Sequence, residues 1–259
     1  METQSIGFIG GGRITRIFLT AFKNASISFQ HISVLDTNEV ILTDLTAKFN
    51  EINVTPSDFT MVANADIVIL AVHPPAMMET LAKIKDLIQH DSILVSLAPK
   101  ITIHKMSDAL GGFSNIARIN PSASSFINEG INPVCFSHLM DADKKQALIE
   151  IMQPLGSLPE VAEQKIEAYA MISAMGHTYF WFQVQKLKEL AVEFGLDEEE
   201  AKDVISEMLW GTTETLFNSG LTYAEVVDLV PVKPLGEVEM TIKGYYDQYL
   251  RTLFGKIKP

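Results

Sequence analysis

Three consecutive glycines, Gly10, Gly11 and Gly12, stand between a short apolar run (Ile6, Phe8, Ile9) and apolar residues at helical spacing (Ile14, Ile17, Phe18, Ala21). Strand, glycine turn and helix in that order suit the phosphates of a dinucleotide. Gly10 can turn the chain sharply, and Gly12, lacking a Cβ, lets backbone approach an anion. The helix beginning near Gly12, with Arg13 and Ile14 in its first turn, directs unpaired amides and a positive dipole end toward the same place. The last position of this G-x-G-x-x-G pattern is Thr15, a β-branched residue where close helix–strand packing ordinarily wants Gly or Ala. Arg13 lies either beside the pyrophosphate or in solvent. A second apolar run, residues 31–35, ends at Asp36, about where an acid meets the adenosine ribose in such units. A carboxylate there accepts from the ribose hydroxyls and repels a 2′-phosphate, and Thr37, Asn38 and Glu39 offer no arginine to hold one. The expected cofactor is therefore NAD or NADP, with NAD favoured; the competing reading of Asp36 is a cap on the next helix.

Such groups need a parallel sheet to position them, and the chain up to about residue 163 alternates strand and helix patterns. Residues 66–72 (DIVILAV) and 92–98 (SILVSLA) are nearly unbroken apolar runs of the kind buried in a parallel sheet. Helical spacing covers 76–89, and 115–119 and 132–136 read as further strands. Right-handed crossovers then give a doubly wound sheet whose crevice opens at the carboxyl ends of the strands, which makes residues 120–125 a candidate wall. Past residue 165 the texture is helical. The pattern predicts one helix over 166–194, stopped by Gly195, a second from the Asp197 cap to 218, a short one after Thr222 and a last one over 237–254. The long helix carries Tyr179, Phe180, Trp181 and Phe182, more apolar surface than a small helical domain covers by itself, so this half is expected to dimerise. The fold class is α/β: a Rossmann-type doubly wound domain at 1–163, then an all-α dimerisation and substrate domain at 164–259.

The chain has 259 residues, 47% of them hydrophobic, which is ample for such cores. No apolar run reaches the roughly 18 residues of a membrane span, and METQSIGF lacks the features of a signal peptide. A cytoplasmic protein without membrane association is expected. The formal net charge of −12 opposes nucleic-acid binding. One cysteine, Cys135 in PVCFS, reads as a small buried hydrophobe, and six scattered histidines in no metal-ligand spacing predict no metal site.

Taken together, GFIGGGRIT, ADIVILAVHP, ARINPSASS, AMGHTYF and PLGEVE resemble the pyrroline-5-carboxylate reductase family, in order and over essentially the whole chain. The resemblance implies a Rossmann domain joined to a helical dimerisation domain, and reduction of a small cyclic imine, or a related C=N or C=O compound, by a nicotinamide cofactor. Gly10 and Gly12 match the family's phosphate loop. Ala71, Val72 and Pro74 match a segment bordering the nicotinamide, with His73 where the family carries lysine or arginine. Arg118 and Pro121 fit an arginine-then-proline segment that frames the active site; Asn120, Ser122 and Ser124 replace its methionine, asparagine and proline. The family's GSGPAY corresponds to Ala174, Met175, Gly176, His177, Thr178 and Tyr179, and its later substrate loop to residues 232–238, which keep Pro234 and Gly236. Those two segments hold a substrate carboxylate in the family, so Met175, His177, Leu235, Glu237 and Val238 alter that pocket.

The expected catalytic residues are His177, Tyr179 and Asn120, with Ser122, Gly176, Thr178 and Gly236 toward the substrate. His177 either donates a proton or packs at a helix start, and Tyr179 either offers its phenol or joins the core. Asn120 and Ser122 either bond the nicotinamide amide or substrate, or form a polar turn around Pro121. Two alternatives to an imine reductase remain open: a non-catalytic dinucleotide sensor, and a deazaflavin-linked NADP reductase of the same fold.

Overall fold

The computed structural model describes residues 4–259. Strands β1 (Ile6–Ile9), β2 (Ile32–Leu35), β3 (Ile52–Thr55), β4 (Ile67–Leu70), β5 (Ile93–Ser96) and β6 (Ile116–Ile119) run parallel. A two-stranded sheet pairs β7 (Gly130–Ile131) with β9 (Gly156–Ser157), and between them in sequence β8 (Val134–Phe136) joins the main sheet. The main sheet has seven strands in the order β3-β2-β1-β4-β5-β6-β8. Its direction of growth reverses between β1 and β4, the place where doubly wound sheets open a ligand crevice.

Helices α1 (Arg13–Asn24), α2 (Glu39–Thr46), α3 (Phe59–Ala63), α4 (Pro74–Ile84), α5 (Ile103–Ala109) and α6 (Ala142–Met152) cover the sheet. All four residues of β1, β2, β4, β5 and β6 are buried, as apolar runs between two helical layers require. Phe8 on β1 meets Phe18 edge-to-face at 6.4 Å, and Phe18 meets Phe22 at 6.2 Å, which seats α1 directly behind the glycine turn. Thr15 fits this packing because its buried hydroxyl donates to the Gly10 carbonyl at 2.5 Å, satisfying both groups.

Two features differ from the sequence reading of this part. The strand expected at 132–136 is shorter and antiparallel, Arg118 pairing with Cys135; between β6 and β8 the chain makes only a 3-10 turn at Ala123–Ile127 and the short β7, with no α-helix of the kind that usually carries a parallel crossover. The edge strand β3 has no apolar run to announce it; Asn53 is exposed between the buried Ile52 and partly buried Val54.

The chain divides into two compact units, one running through Ala174 and including Phe254–Pro259, the other Met175–Leu253. The sequence reading puts its division between 163 and 164, in the segment just before α7 (Ile166–Tyr169). The single helix expected over 166–194 is broken into α7, a π-turn at Ala170–Ala174 and α8 (Gly176–Glu193). Ser173 bonds back to the Tyr169 carbonyl at 2.9 Å, a contact that bends helices, and Gly176 follows at once. In the second unit Gly195, at φ +109°, ends α8, and Asp197 with Glu200 forms a capping box for α9 (Glu198–Asn218). Thr222 and Glu225 cap α10 (Tyr223–Asp228) in the same way. The last helical stretch is also interrupted: α11 (Glu239–Tyr245), a π-turn at Tyr246–Leu250 and α12 (Arg251–Ile257). Only Ala201 and Ile205 of α9 are buried, while Trp210 and Phe217 are 69% and 75% exposed. Phe180, Trp181 and Phe182 of α8 are also exposed, so this unit carries far more apolar side chain than it covers. Among the described residues, no helix is long and apolar enough to cross a membrane.

Candidate cofactor and active site

The glycine turn is built by its neighbours across the sheet. Gly10 donates to the Leu35 carbonyl at 2.7 Å, and Ala71 donates to the Ile9 carbonyl at 2.8 Å. Gly10 sits at φ +105°, and a Cβ there would stand 2.5 Å from the Ala71 oxygen, so conformation and space both demand glycine. Asp36, at the end of β2, grips the turn: one carboxylate oxygen accepts from the Gly11 amide and the other from the Asn38 amide, each at 2.8 Å. The cap on α2 is Asn38, whose side chain accepts from the Val40 amide at 3.0 Å, so Asp36 is not that helix's cap. Its carboxylate direction is fixed by two backbone amides beside the turn.

Gly12 is the N-cap of α1, with no side-chain cap and no acid in the first turn. The leading amides of a helix have no intrahelical carbonyl to meet, and a Cβ placed on Gly12 would find nothing within 4 Å. An uncapped, positively polarised helix start facing open space, beside a turn locked in shape, fits the pyrophosphate of a dinucleotide. Arg13 is exposed and Ile14 partly buried. Across the reversal point Ala71 and Val72 are partly buried and His73 is exposed as the N-cap of α4, followed by Pro74 and Pro75 in its first positions. The structure thus brings Gly10, Gly11, Gly12, Asp36 and Ala71 into one constellation.

At the carboxyl end of β6 lies a second one. Asn120 points its amide nitrogen at the Ser173 hydroxyl, 3.5 Å away, and its backbone donates to the Pro133 carbonyl at 3.0 Å. Ser122 is fully buried; its amide donates to the Asn132 side-chain oxygen at 2.9 Å and its hydroxyl lies 3.0 Å from that of Ser124. Asn132, also fully buried, takes a second hydrogen bond from the Ser125 hydroxyl at 2.9 Å and donates to the Leu155 carbonyl at 3.0 Å. One asparagine therefore shapes the whole loop, a role the sequence reading missed. It missed the partners of Arg118 too. Arg118 is 2% exposed, and its guanidinium bonds Glu163 at 3.1 Å and Glu167 at 2.6 Å. Glu163 also accepts from the Ile103 amide at 2.7 Å, and Glu167 from the Lys100 amide at 3.4 Å. Among the described residues, Nε of Arg118 has no hydrogen-bond partner, which costs about 1–3 kcal/mol when buried.

Cys135 pairs with Arg118 across β8 and β6, and burial pushes its thiol up to about 12 against the smaller opposing effect of the guanidinium. The thiolate is the reactive form. The folded protein is therefore expected to resist a thiol reagent such as Ellman's at pH 8, and to react with one equivalent once urea unfolds it; prompt labelling of the native protein contradicts this burial.

In the second unit His177 is half-buried at the start of α8, its ring stacked on Trp181 at 5.6 Å and 18°. Tyr179 meets Tyr246 edge-on at 6.1 Å, and burial, with Tyr246 as a lesser cause, raises its phenol above the ordinary value. Gln183 donates to the Tyr179 carbonyl at 2.6 Å and to the Tyr246 hydroxyl at 3.3 Å, tying α8 to the π-turn at Tyr246–Leu250. Gly176 is buried, Thr178 is exposed with its hydroxyl on the Met175 carbonyl at 2.7 Å, and Gly236 opens an exposed single turn at Gly236–Val238.

Residues 5–100 match the family described as NADP oxidoreductase coenzyme F420-dependent, and residues 163–246 the one described as pyrroline-5-carboxylate reductase dimerisation. The chain is similar to the pyrroline-5-carboxylate reductase family along nearly its whole length. A pyrroline-5-carboxylate reductase of Methanosarcina acetivorans is 25% identical over 255 residues, covering 98% of this chain and 94% of the relative. Among solved structures, one of Coxiella burnetii described as a pyrroline-5-carboxylate reductase is 26% identical, with a TM-score of 0.70 over 99% of this chain and 95% of the other. The Plasmodium falciparum pyrroline carboxylate reductase, solved with NADP bound, shares the fold at 21% identity, with a TM-score of 0.81 over 100% of this chain and 98% of that one. The family's dimerisation half coincides with the helices whose apolar side chains stand exposed in the isolated chain.

Proposed function

We propose that this protein, an NAD(P)-dependent reductase of the pyrroline-5-carboxylate reductase family, reduces pyrroline-5-carboxylate or a close cyclic imine with NADH, as a homodimer or higher oligomer in the cytoplasm, without nucleic-acid or membrane partners. The observation that carries the reading is the glycine turn that Asp36 locks in front of the uncapped α1, in a chain whose other half matches the dimerisation region of imine reductases. The description matched by residues 5–100 alone also favours a deazaflavin-linked NADP reductase. The match of residues 163–246 and the full-length relatives favour the imine.

A dihydronicotinamide cofactor held at the turn would supply the hydride that an imine carbon accepts. The chain's own part is binding, orientation and protonation. Amides at the start of α1 hold the pyrophosphate, and Asp36 takes the ribose hydroxyls. Ala71, Val72, His73 and Pro74 border the nicotinamide side, and Asn120 orients the nicotinamide amide or the substrate. An imidazole N–H of His177 gives the imine nitrogen its proton. Tyr179, whose phenol burial raises above its ordinary value, donates a hydrogen bond, while Ser122, Gly176, Thr178 and Gly236 shape the substrate's surroundings.

NADH preference follows from Asp36, whose fixed carboxylate repels a 2′-phosphate. Asp36→Ala is expected to narrow the NADH over NADPH preference in kcat/KM by about 10-fold or more, since one close like-charge repulsion at moderate dielectric exceeds about 1.4 kcal/mol. Steady-state kinetics of the purified protein with pyrroline-5-carboxylate and each cofactor test this. Equal or better use of NADPH by the parent enzyme overturns the preference, and no turnover with either cofactor overturns the reductase reading.

A further inference from the structure

Three charged side chains meet where β6 faces α7 and the turn before it: Arg118 and Glu167 in the interior, and Glu163 partly exposed. Arg118 lies in β6, two residues before Asn120. Glu167 lies in α7, six residues before Ser173, and Asn120 and Ser173 are the residues whose side chains approach each other at the carboxyl end of β6. Arg118 and Glu167 are 2% and 3% exposed, and 2.6 Å separates their bonded atoms. Buried ion pairs add little net stability over well-packed apolar groups, and their best-attested use is to fix one arrangement among several. Here each acid also reaches the segment that follows β5: Glu167 takes the Lys100 amide in the loop, and Glu163 the Ile103 amide at the start of α5. A π-turn adds an extra residue to a helix and shifts the register of every residue after it. Ala170–Ala174 is such a turn, so the direction of Ser173 depends on how firmly α7 is held.

Resting on the imine-reductase reading above, we propose that Arg118 and Glu167 are positioning residues, which clamp β6 to α7 so that Asn120 and Ser173 stand in one register at the sheet's carboxyl edge. The clamp acts on the reaction through those two side chains and leaves the glycine turn alone. Its loss therefore lowers kcat and leaves cofactor affinity unchanged, whereas a merely structural role lowers both with the folded fraction.

Glu167→Gln is the test, because glutamine keeps the shape and one acceptor. The expected result is a folded protein, an NADH Kd within about 2-fold of the parent, and kcat with pyrroline-5-carboxylate down by about 10- to 100-fold, the scale of a misplacement near 1 Å. In a Ser173→Ala background the same substitution changes kcat by less than about 3-fold, since coupled sites are not additive. Amide exchange in residues 120–125 and 170–174 rises while that of residues 10–15 does not. Should Glu167→Gln fail to fold, Glu163→Gln, on the partly exposed arm of the cluster, carries the same comparison. Parent-like kcat and exchange in the folded variant overturn the proposal, as does a full Glu167→Gln effect in the Ser173→Ala background. A parent protein without turnover defeats the reductase reading alone, and the exchange pattern still decides the clamp.

Discussion

Replacing Gly12 by aspartate is expected to weaken NADH binding by at least about 100-fold while leaving the protein folded, and slightly more stable than its parent. The site has room for the new side chain, since a Cβ at Gly12 meets nothing within 4 Å, and the local φ of −71° suits any residue. The carboxylate then sits at the N-cap of α1, which has no side-chain cap of its own. Aspartate at that position favours the helix over glycine by a few tenths of a kcal/mol, with about 0.3–1 kcal/mol more from the dipole. The same amides and dipole end are what a pyrophosphate needs. A negative charge about 4 Å from it repels by about 4 kcal/mol at an effective dielectric constant near 20, against about 1.4 kcal/mol for each tenfold in affinity. Fluorescence titration with NADH and thermal unfolding read the two effects separately. Unchanged affinity in a folded variant means that the phosphates bind elsewhere.

Arg118→Met is expected to cost about 3–5 kcal/mol of stability, the range for breaking a buried ion pair from one side. The cost lies in what is left behind: Glu167, 3% exposed, loses its closest partner, and Glu163 loses one as well. Removing the charges together as Arg118→Met, Glu163→Gln and Glu167→Gln is expected to restore most of the loss, because a buried cluster replaced as a whole is often neutral. Urea unfolding of the parent and the two variants measures both effects. A loss below about 1 kcal/mol in the single variant would place these charges in solvent, as for an ordinary surface pair.

What the sequence made legible was local. The glycine turn, the apolar runs at β4 and β5, Gly195, Asp197 and Thr222 each declare themselves within a few residues, because strand burial, turn conformation and capping are short-range physics. Asp36 is legible as a carboxylate at the end of an apolar run, but its bonds to Gly11 and Asn38 depend on where β2 ends beside β1. The clamp was invisible because its members stand 45 and 49 residues from Arg118. One signal was available: Glu163 and Glu167 stand four apart on either side of the apolar Ile166 where the helical stretch begins. The π-turn at Ala170–Ala174 was hidden because AYAMISA reads as uninterrupted helix by spacing, and only the Ser173 back-bond and the following Gly176 hint at a break. β3 and Asn132 were missed for a related reason, since an edge strand and a loop-shaping amide take their meaning from neighbours distant in sequence.

In the proposed reaction, hydride passes from the cofactor held at the glycine turn to the carbon of a cyclic imine. Incubating the purified protein with pyrroline-5-carboxylate and NADH deuterated at the reactive C4 position, and analysing the product by mass spectrometry and NMR, tests it most directly. One deuterium on the former imine carbon is expected, absent when Gly12→Asp replaces the parent. Tight NADH binding with no deuterium in any product would contradict it.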